Sequence, residues 1–212
     1  MKQNIRVIVA DDHSVIRVCV AHLLAAQPHM SLVGTAADAP SLATLFEARP
    51  CDVIVADLGM PGFDGENNAV TMLGRLMRHP DCPPVVILTM LRHPPILNAM
   101  LALGATAIVD KRDTVNALIH AIEAAARRRR YLSQHVELRT RGSAASSHAG
   151  PLSVREWDVF GYCARGFTVA QIADRLGRST KTIGAQKRSV LRKLGLVTDA
   201  DLIDYARQIG LV

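Results

Sequence analysis

The sequence contains no long hydrophobic run and no closely spaced pair of cysteines. None of its apolar segments approaches the roughly 18 residues that a membrane span needs. The N-terminal segment becomes acidic at Asp11, before the apolar stretch of a secretory signal peptide can form. The four cysteines show no CxxC spacing, which is typical of reduced packing residues. These absences exclude a secreted, membrane-spanning or fibrous protein and predict a cytoplasmic location.

The length and the distribution of charge favour two parts with different roles. The chain has 212 residues, of which 49% are hydrophobic and 21% charged, and a domain usually takes about 100–200 residues. Residues 1–125 contain nine Lys or Arg against twelve Asp or Glu, residues 126–150 contain six against one, and residues 151–212 contain ten against six. An acidic part joined to a basic part makes nucleic acid the candidate partner of the second.

The first part alternates short apolar runs with helical patterns. Three of the runs are nearly continuous β-branched stretches, which is typical of parallel strands that are covered on both faces. Between the runs, apolar residues recur with the spacing of amphipathic helices. The pattern predicts a doubly wound, five-stranded parallel sheet. The predicted strands are Ile5–Ala10, Ser31–Ala36, Val53–Ala56, Val85–Met90 and Ala107–Val109.

The pattern changes after the first part. Residues 127–150 begin with Arg127–Arg130, end in a Ser/Ala/Gly-rich stretch, and are predicted to form a basic linker between a domain at 1–126 and a domain at 151–212. The arginine run is interpreted as a solvated helix end that adds nonspecific attraction, with contact to DNA phosphates as the alternative. The last 60 residues or so predict four short helices in a small all-α domain.

Polar residues follow four of the predicted strands. In an open α/β sheet, the site lies beyond the carboxyl ends of the strands, so these residues are expected to lie together. They are Asp11, Asp12, Asp57, Thr89 and Lys111. Three facing carboxylates repel one another unless a cation neutralises them, and Mg²⁺ is suited to two carboxylates plus water. One carboxylate can then attack a phosphoryl group and hold it as an acyl phosphate.

The motifs DDH, DLGMPGFDG, LTM and VDK, which start at positions 11, 57, 88 and 109, resemble those of the receiver domain of two-component response regulators. The resemblance covers roughly residues 3–125 and implies a flavodoxin-like fold and Mg²⁺. It implies that Asp57 is the phosphoacceptor, that Thr89 and Lys111 stabilise the phosphoryl group, and that a sensor histidine kinase or a histidine phosphotransfer protein supplies it. The implied metal ligands are Asp11, Asp12, Asp57 and the backbone carbonyl of Gly59.

Two positions depart from the pattern of that family. Ile108 stands where receivers usually carry an aromatic switch residue, and Gly59 provides no side chain to shield an acyl phosphate. The first departure leaves open an alternative in which the same architecture acts without phosphorylation, as a heterodimer with an auxiliary regulator. A metal-dependent phosphohydrolase is a further alternative, but such enzymes place the nucleophile after strand one.

The C-terminal part contains a helix, a break at Gly177–Arg178 and a second helix for which Ser179 is the predicted N-cap. Ile183, Val190, Leu191 and Leu194 cluster on one side of this second helix. The opposite side carries a basic stripe within about 60° on a helical wheel, as insertion into a major groove requires. The stripe consists of Lys181, Ala185, Arg188 and Arg192.

The segment from LSVREWDV to SVLRKLG, over about residues 150–210, resembles the LuxR-type (NarL/FixJ) helix-turn-helix domain. Together the two resemblances point most closely to the capsule-synthesis branch of that family. They imply that Gly184, Ala185 and Arg188 face base edges, and Arg188 is the predicted main base reader. The residues implied to lie near phosphates are Lys181, Gln186, Lys187 and Lys193.

The prediction is therefore a transcription factor controlled by phosphorylation of Asp57. It binds promoter DNA as a dimer and performs no enzymatic reaction beyond gaining and losing its own phosphoryl group. A homodimer would cover two half-sites, which one 60-residue domain cannot do. A third alternative makes the C-terminal helices a protein-docking module, for which DNA binding would not fall steeply with salt.

Overall fold

The computed structural model describes residues 4–60, 73–74, 76–90, 94–143 and 152–208. The loop residues Pro61, Gly62, Asp64 and Gly65 lie outside these ranges, as do residues 144–150 of the predicted linker. Within the described ranges, no helix is both long enough and apolar enough to cross a membrane.

The first part of the chain forms a parallel sheet, as the alternating pattern predicts. The strands are β1 (Ile5–Ala10), β2 (Met30–Ala36), β3 (Val53–Ala56), β4 (Val85–Thr89), β5 (Ala107–Asp110) and β6 (Tyr131–Leu132). Their order in the sheet is β2-β1-β3-β4-β5-β6. The prediction of five strands is thus one short of the described sheet. The sixth strand has only two residues, which is too short to produce a periodic pattern in the sequence.

Helices cover both faces of the sheet. They are α1 (Ser14–Ala25), α2 (Ala39–Ala48), α3 (Pro94–Leu103) and α4 (Val115–Ala126). Side chains of α1 and α4 pack with Val7, Val9 and Val55 on one face, whereas α2 and α3 pack with Ile8 and Ile54 on the other. Successive strand residues point to opposite faces, so burial on both faces explains the continuous apolar runs.

Part of the segment that we predict as linker is regular secondary structure. After β6, the helix α5 (Gln134–Ser143) packs against α3 and β5. Val136 is its fully buried anchor. The composition of α5 is otherwise polar, which is why the sequence pattern gives no sign of the helix. The domain boundaries at 126 and 151 stay a prediction.

The C-terminal part consists of four described helices, in agreement with the prediction. They are α6 (Val154–Ala164), α7 (Val169–Arg175), α8 (Thr180–Leu194) and α9 (Asp199–Gln208). Their core contains the fully buried rings of Trp157 and Phe160, whose centroids are 5.4 Å apart. Capping boxes begin α6 at Ser153 and α7 at Thr168, each satisfying two backbone N–H groups that a helix start leaves unpaired.

Candidate functional site

The carboxylates lie where the order of the strands reverses. The chain runs from β1 outward to β2 and returns to β3 on the other side of β1, which opens a crevice at the carboxyl ends of the strands. Ala10 and Ala56 are register partners, and the Asp57 amide donates to the Ala10 carbonyl at 2.9 Å. Asp11 and Asp57 therefore face each other across two adjacent strand ends.

Lys111 brings a cation to this crevice from the end of β5. Its Nζ lies 2.6 Å from Asp11 Oδ2 and 3.3 Å from Asp57 Oδ2, and all three side chains are at least nine-tenths buried. The position is fixed through the backbone, since the Lys111 amide donates to the Thr89 carbonyl at 3.0 Å. The lysine that the sequence places beside the carboxylates thus pairs with two of them.

Asp57 is buried, and Gly59 lies against its carboxylate. Burial raises the pKa of the Asp57 carboxyl, an effect that the charge of Lys111 opposes and that of Asp11 reinforces. The Gly59 amide donates to this carboxylate. A Cβ at position 59 would lie 3.0 Å from Asp57 Oδ2, so any side chain there would crowd the carboxylate.

Two residues at the start of α1, the N-cap residue His13 and Arg17 in the first turn, support the acidic pair, and we predicted a role for neither of them from the sequence. His13 Nδ1 lies 2.7 Å from Asp12 Oδ1 and 3.2 Å from Asp11 Oδ1. Arg17 donates to the backbone carbonyls of Asp11 and Asp12 at 2.6 and 3.1 Å. Arg17 follows Asp11 by six positions and Asp12 by five. This spacing was the available signal in the sequence, because the first turn of the helix places Arg17 next to the residues that precede the helix.

The other predicted switch positions lie on the central strands. Thr89 is buried at the end of β4 and pairs in register with Asp110. Ile108 is fully buried among the residues on the α3 side of the sheet. The end of β5 and the loop that follows it are tied to the segment beyond β6: the Asp110 amide donates to Ser133 Oγ at 3.0 Å, and an Asp113 carboxylate oxygen contacts His135 Nδ1.

The crevice has the donor set of a site for a divalent cation. Asp11, Asp12, His13 and Asp57 each offer a ligand atom, and these atoms lie within 4.8 Å of one another. Asp11 Oδ2 is buried, and its partner among the described residues is Lys111 Nζ at 2.6 Å. Hard carboxylate oxygens are the ligands that Mg²⁺ prefers, so the residues present fit that ion.

The second predicted site lies on α8. Ser179 Oγ accepts from the Thr182 amide at 3.1 Å, which confirms the predicted N-cap. Ile183 and Val190 are buried against the other helices. The four residues of the predicted stripe are all exposed; they are Lys181, Ala185, Arg188 and Arg192. The helix thus turns a basic, solvent-facing side away from its core.

The remaining predicted DNA-contact residues are partly buried beside this stripe. Lys187 donates to Asp199 at 2.6 Å and Lys193 to Glu156 at 2.7 Å, so both are engaged within the domain. Gln186 Oε1 is buried without a hydrogen-bond partner among the described residues. Gly184 leaves space that Arg188 occupies: a Cβ there would lie 3.6 Å from Arg188 Nη1.

Glu156 fixes the position of α8, a role that we did not predict from the sequence. Its carboxylate accepts from the Ser153 amide at 2.6 Å, from Ser189 Oγ at 2.6 Å and from Lys193 Nζ at 2.7 Å. Burial alone would raise the pKa of Glu156, but the hydrogen bonds from Lys193, Ser189 and Ser153 outweigh it and lower the pKa to about 2. The signal available was S-x-x-E at 153–156, a capping-box sequence.

This lowered pKa predicts an acid-sensitive C-terminal domain. A carboxyl whose pKa is lower in the folded state stabilises the fold above its ordinary value of 4.5, and the contribution is lost as the pH falls from there to about 2. The wild type should therefore be more stable than Glu156→Gln at neutral pH, and the difference should vanish on acidification. Fluorescence of Trp157, the only tryptophan, reports unfolding of this domain. Parallel pH profiles would contradict the assignment.

Two family profiles match the chain, one for each part. The response regulator receiver domain matches residues 7–123, which include the carboxylate crevice. The luxR family of bacterial regulatory proteins matches residues 150–206, which include α8.

Relatives match over nearly the full length. The transcriptional regulatory protein RcsB of Escherichia coli (strain K12) is 32% identical over 209 residues, covering 98% of this chain and 96% of that protein. The Fimbriae Z protein of Salmonella typhimurium is 28% identical, with coverage of 97% and 98%.

Solved structures show the same similarity. RcsB from Salmonella enterica serovar Typhimurium, bound to the rprA promoter in the presence of the phosphomimetic BeF3-, has a TM-score of 0.76 at 32% identity, covering 96% of this chain and 98% of that one. A structure of two RcsB dimers bound to two parallel DNAs has a TM-score of 0.67 at 31% identity, with coverage of 98% and 100%. The chain therefore belongs to the response regulators that join a receiver domain to a LuxR-type DNA-binding domain.

Proposed function

We propose that this response regulator is a transcription factor whose promoter binding is controlled by phosphorylation of Asp57. The observation that carries the proposal is the placement of the buried Asp57 carboxylate 3.3 Å from Lys111 Nζ, in one chain with an exposed basic stripe on α8. The phosphoryl donor is a histidine of a sensor kinase or of a phosphotransfer protein.

The proposed chemistry is a single transfer at Asp57. A carboxylate oxygen attacks phosphorus, a P–O bond forms, the P–N bond to the donor histidine breaks, and the electron pair stays on the imidazole nitrogen. Lys111 lies on the side where a phosphoryl oxygen would carry negative charge, and the Thr89 hydroxyl can donate to another. Gly59 places no side chain beside the Asp57 carboxylate. Beyond gaining and losing this group, the protein performs no enzymatic reaction.

Asp11, Asp12 and Asp57 are the residues that would hold Mg²⁺, together with the backbone carbonyl of Gly59. Bound there, the ion would neutralise the charge that accumulates on the phosphoryl oxygens. Two contacts hold the acidic pair in position: His13 Nδ1 lies against the Asp12 carboxylate, and Arg17 donates to the Asp11 carbonyl.

Magnesium should stabilise the receiver domain. Binding to the folded state alone adds about 2.7 kcal/mol at a free concentration 100 times Kd, so the calorimetric unfolding temperature rises with MgCl2 at constant ionic strength. We expect Asp12→Asn to lose most of this rise and Asp81→Asn, which alters an exposed carboxylate, to keep it. An equal rise in wild type and Asp12→Asn would contradict the ligand assignment.

The acyl phosphate would act through an equilibrium between two arrangements of the β4–β5 edge. Attraction of Lys111 towards a phosphoryl group would weaken its pairing with Asp11. Because the loop after Lys111 is held to α5 through Asp113 and His135, a shift of this loop reaches α5. Ile108 is buried and aliphatic, so the usual aromatic partner of the Thr89 hydroxyl takes no part.

On DNA, α8 would enter the major groove. Arg188 is exposed at the centre of the basic stripe and can read guanine through two hydrogen bonds. Lys181 and Arg192 would contact phosphates. Lys187 and Lys193 donate to carboxylates of the same domain. They would therefore contribute less to DNA binding than the exposed basic residues do, unless DNA displaces those carboxylates. A dimer of the chain would place two such helices on two half-sites.

Selection from random duplex DNA tests the proposal. The full-length protein, treated with acetyl phosphate and Mg²⁺, should enrich fragments that contain two spaced half-sites, and Arg188→Ala should not enrich them. Failure of the wild type to enrich any sequence would overturn the function and favour the protein-docking alternative.

A further inference from the structure

Four consecutive arginines lie at the end of the last receiver helix and are all exposed: Arg127–Arg130, here called the arginine cluster. Two carboxylates line the cavity beside Arg127, and both are engaged elsewhere. Glu123 Oε1 lies 2.8 Å from His29 Nε2, and Asp52 Oδ1 lies 3.0 Å from Arg6 Nη2. The two carboxylates of this cavity are therefore engaged with His29 and Arg6.

The backbone at the cluster favours a different residue at position 128. The Arg128 amide donates to the Ala125 carbonyl at 2.7 Å and the Arg129 amide to the Ala124 carbonyl at 2.8 Å, which is the Schellman pattern of a helix C-terminus. Arg128 adopts φ 53°, the left-handed position where glycine is the usual residue. Arginine is less stable than glycine in this conformation and adds a charge. The need to end the helix therefore does not explain why position 128 is an arginine.

The helix dipole does not account for four charges either. Cations near a helix C-terminus are stabilising, but the effect falls off within the last turn, and two of the arginines lie beyond the left-handed residue. A row of planar guanidinium groups suits the phosphates of a nucleic acid backbone.

The connection to the DNA-binding domain keeps the cluster near DNA. Ser143 ends α5 and Val154 begins α6, and this length of chain spans at most roughly 40 Å even when fully extended. Once α8 is on a duplex, contact by the cluster is intramolecular, with an effective concentration up to about the millimolar range.

We propose that the arginine cluster is a second DNA-contact site, located on the receiver domain, that binds the phosphate backbone next to the sequence that α8 reads. This inference rests on the proposed function of α8, which is to bind DNA. The cluster would add affinity and salt dependence without changing base preference, because phosphate contacts position a protein and base contacts specify the sequence.

The test measures the salt dependence of binding by the full-length protein to a fluorescently labelled mixed-sequence duplex. The slope of log affinity against log salt is negative, and each lost phosphate contact reduces its magnitude by about 0.9. Arg129→Gln/Arg130→Gln should therefore reduce this magnitude by about 1.8. Arg49→Gln/Arg78→Gln removes the same charge from exposed receiver positions elsewhere and should leave the slope unchanged. Arg128→Gly should reduce the magnitude of the slope by about 0.9 while raising the unfolding temperature.

The outcomes separate this inference from the proposed function. If Arg188→Ala weakens binding and the cluster variants leave the slope unchanged, α8 reads DNA and the cluster is merely solvated, which overturns the inference. An unchanged slope together with lost binding to vesicles of anionic phospholipid would assign the cluster to membranes and would equally overturn it. If the wild type itself binds no duplex, both proposals fail. Equal effects of cluster and control variants would indicate net charge alone and refute a defined contact site.

Discussion

Replacement of Asp57 by alanine should abolish phosphorylation of the protein. Incubated with acetyl phosphate and Mg²⁺, the wild type should gain the mass of one phosphoryl group and Asp57→Ala should gain none. Among the described residues, no other buried carboxylate of the crevice lies beside both Gly59 and Lys111. Mass spectrometry of the intact, acid-quenched protein measures the adduct. Asp81→Ala, which removes an exposed carboxylate of the same domain, should be phosphorylated as the wild type is.

The same variant should fold at least as stably as the wild type. Burial raises the pKa of Asp57, so the charged form of this carboxyl opposes folding. Removal of the carboxylate relieves this cost, and the calorimetric unfolding temperature without Mg²⁺ should rise. An adduct that persists in a folded Asp57→Ala would contradict the assignment and point to Asp11 or Asp12.

Replacement of Arg188 by alanine should have the largest effect on DNA recognition. Loss of a bidentate contact to guanine costs about 1–3 kcal/mol, which corresponds to roughly 5–150-fold in affinity, and the preference at one base-pair position should relax. Lys181→Ala should weaken binding about equally on all sequences and reduce the salt slope by about 1. Anisotropy titrations on the selected duplex and on its single base-pair variants measure both.

A matched control exists on α9. Arg207 is exposed and pairs with Asp204 at 3.5 Å, so Arg207→Ala removes the same charge from another helix and should leave base preference and affinity nearly unchanged. If Arg207→Ala and Arg188→Ala weaken binding alike, or if Arg188→Ala keeps the wild-type base preference, another residue reads the bases.

The parts of the fold that follow from local pattern could be predicted from the sequence. Continuous β-branched runs define β1 and β3, and the rule that parallel strands end at one edge brings Asp11, Asp57 and Lys111 together before any coordinates are known. The N-cap at Ser179 and the exposure of Arg188 follow from residue type and helical periodicity. These features depend on neighbours within a few residues or on the general topology of the fold.

What could not be predicted depends on pairs distant in sequence. Lys193 flanks the apolar stripe of α8, and a helical wheel cannot distinguish a solvated lysine from one that pairs with Glu156, 37 positions away. The strand β6 forms because the Tyr131 and Ser133 amides donate to carbonyls of Thr106 and Ile108. Two residues in a strand carry no periodic signal, so β6 and the following helix fall within the segment predicted as linker.

DNA affinity measured in four arms tests the central claim most directly: wild type and Asp57→Ala, each with and without acetyl phosphate and Mg²⁺, on the selected duplex. Coupling between two sites typically amounts to about 1–3 kcal/mol. We therefore predict that the phosphodonor strengthens wild-type binding by about 5–150-fold and leaves Asp57→Ala unchanged. Equal affinity in all four arms would contradict phosphorylation control and favour a regulator that acts unphosphorylated, with an auxiliary partner.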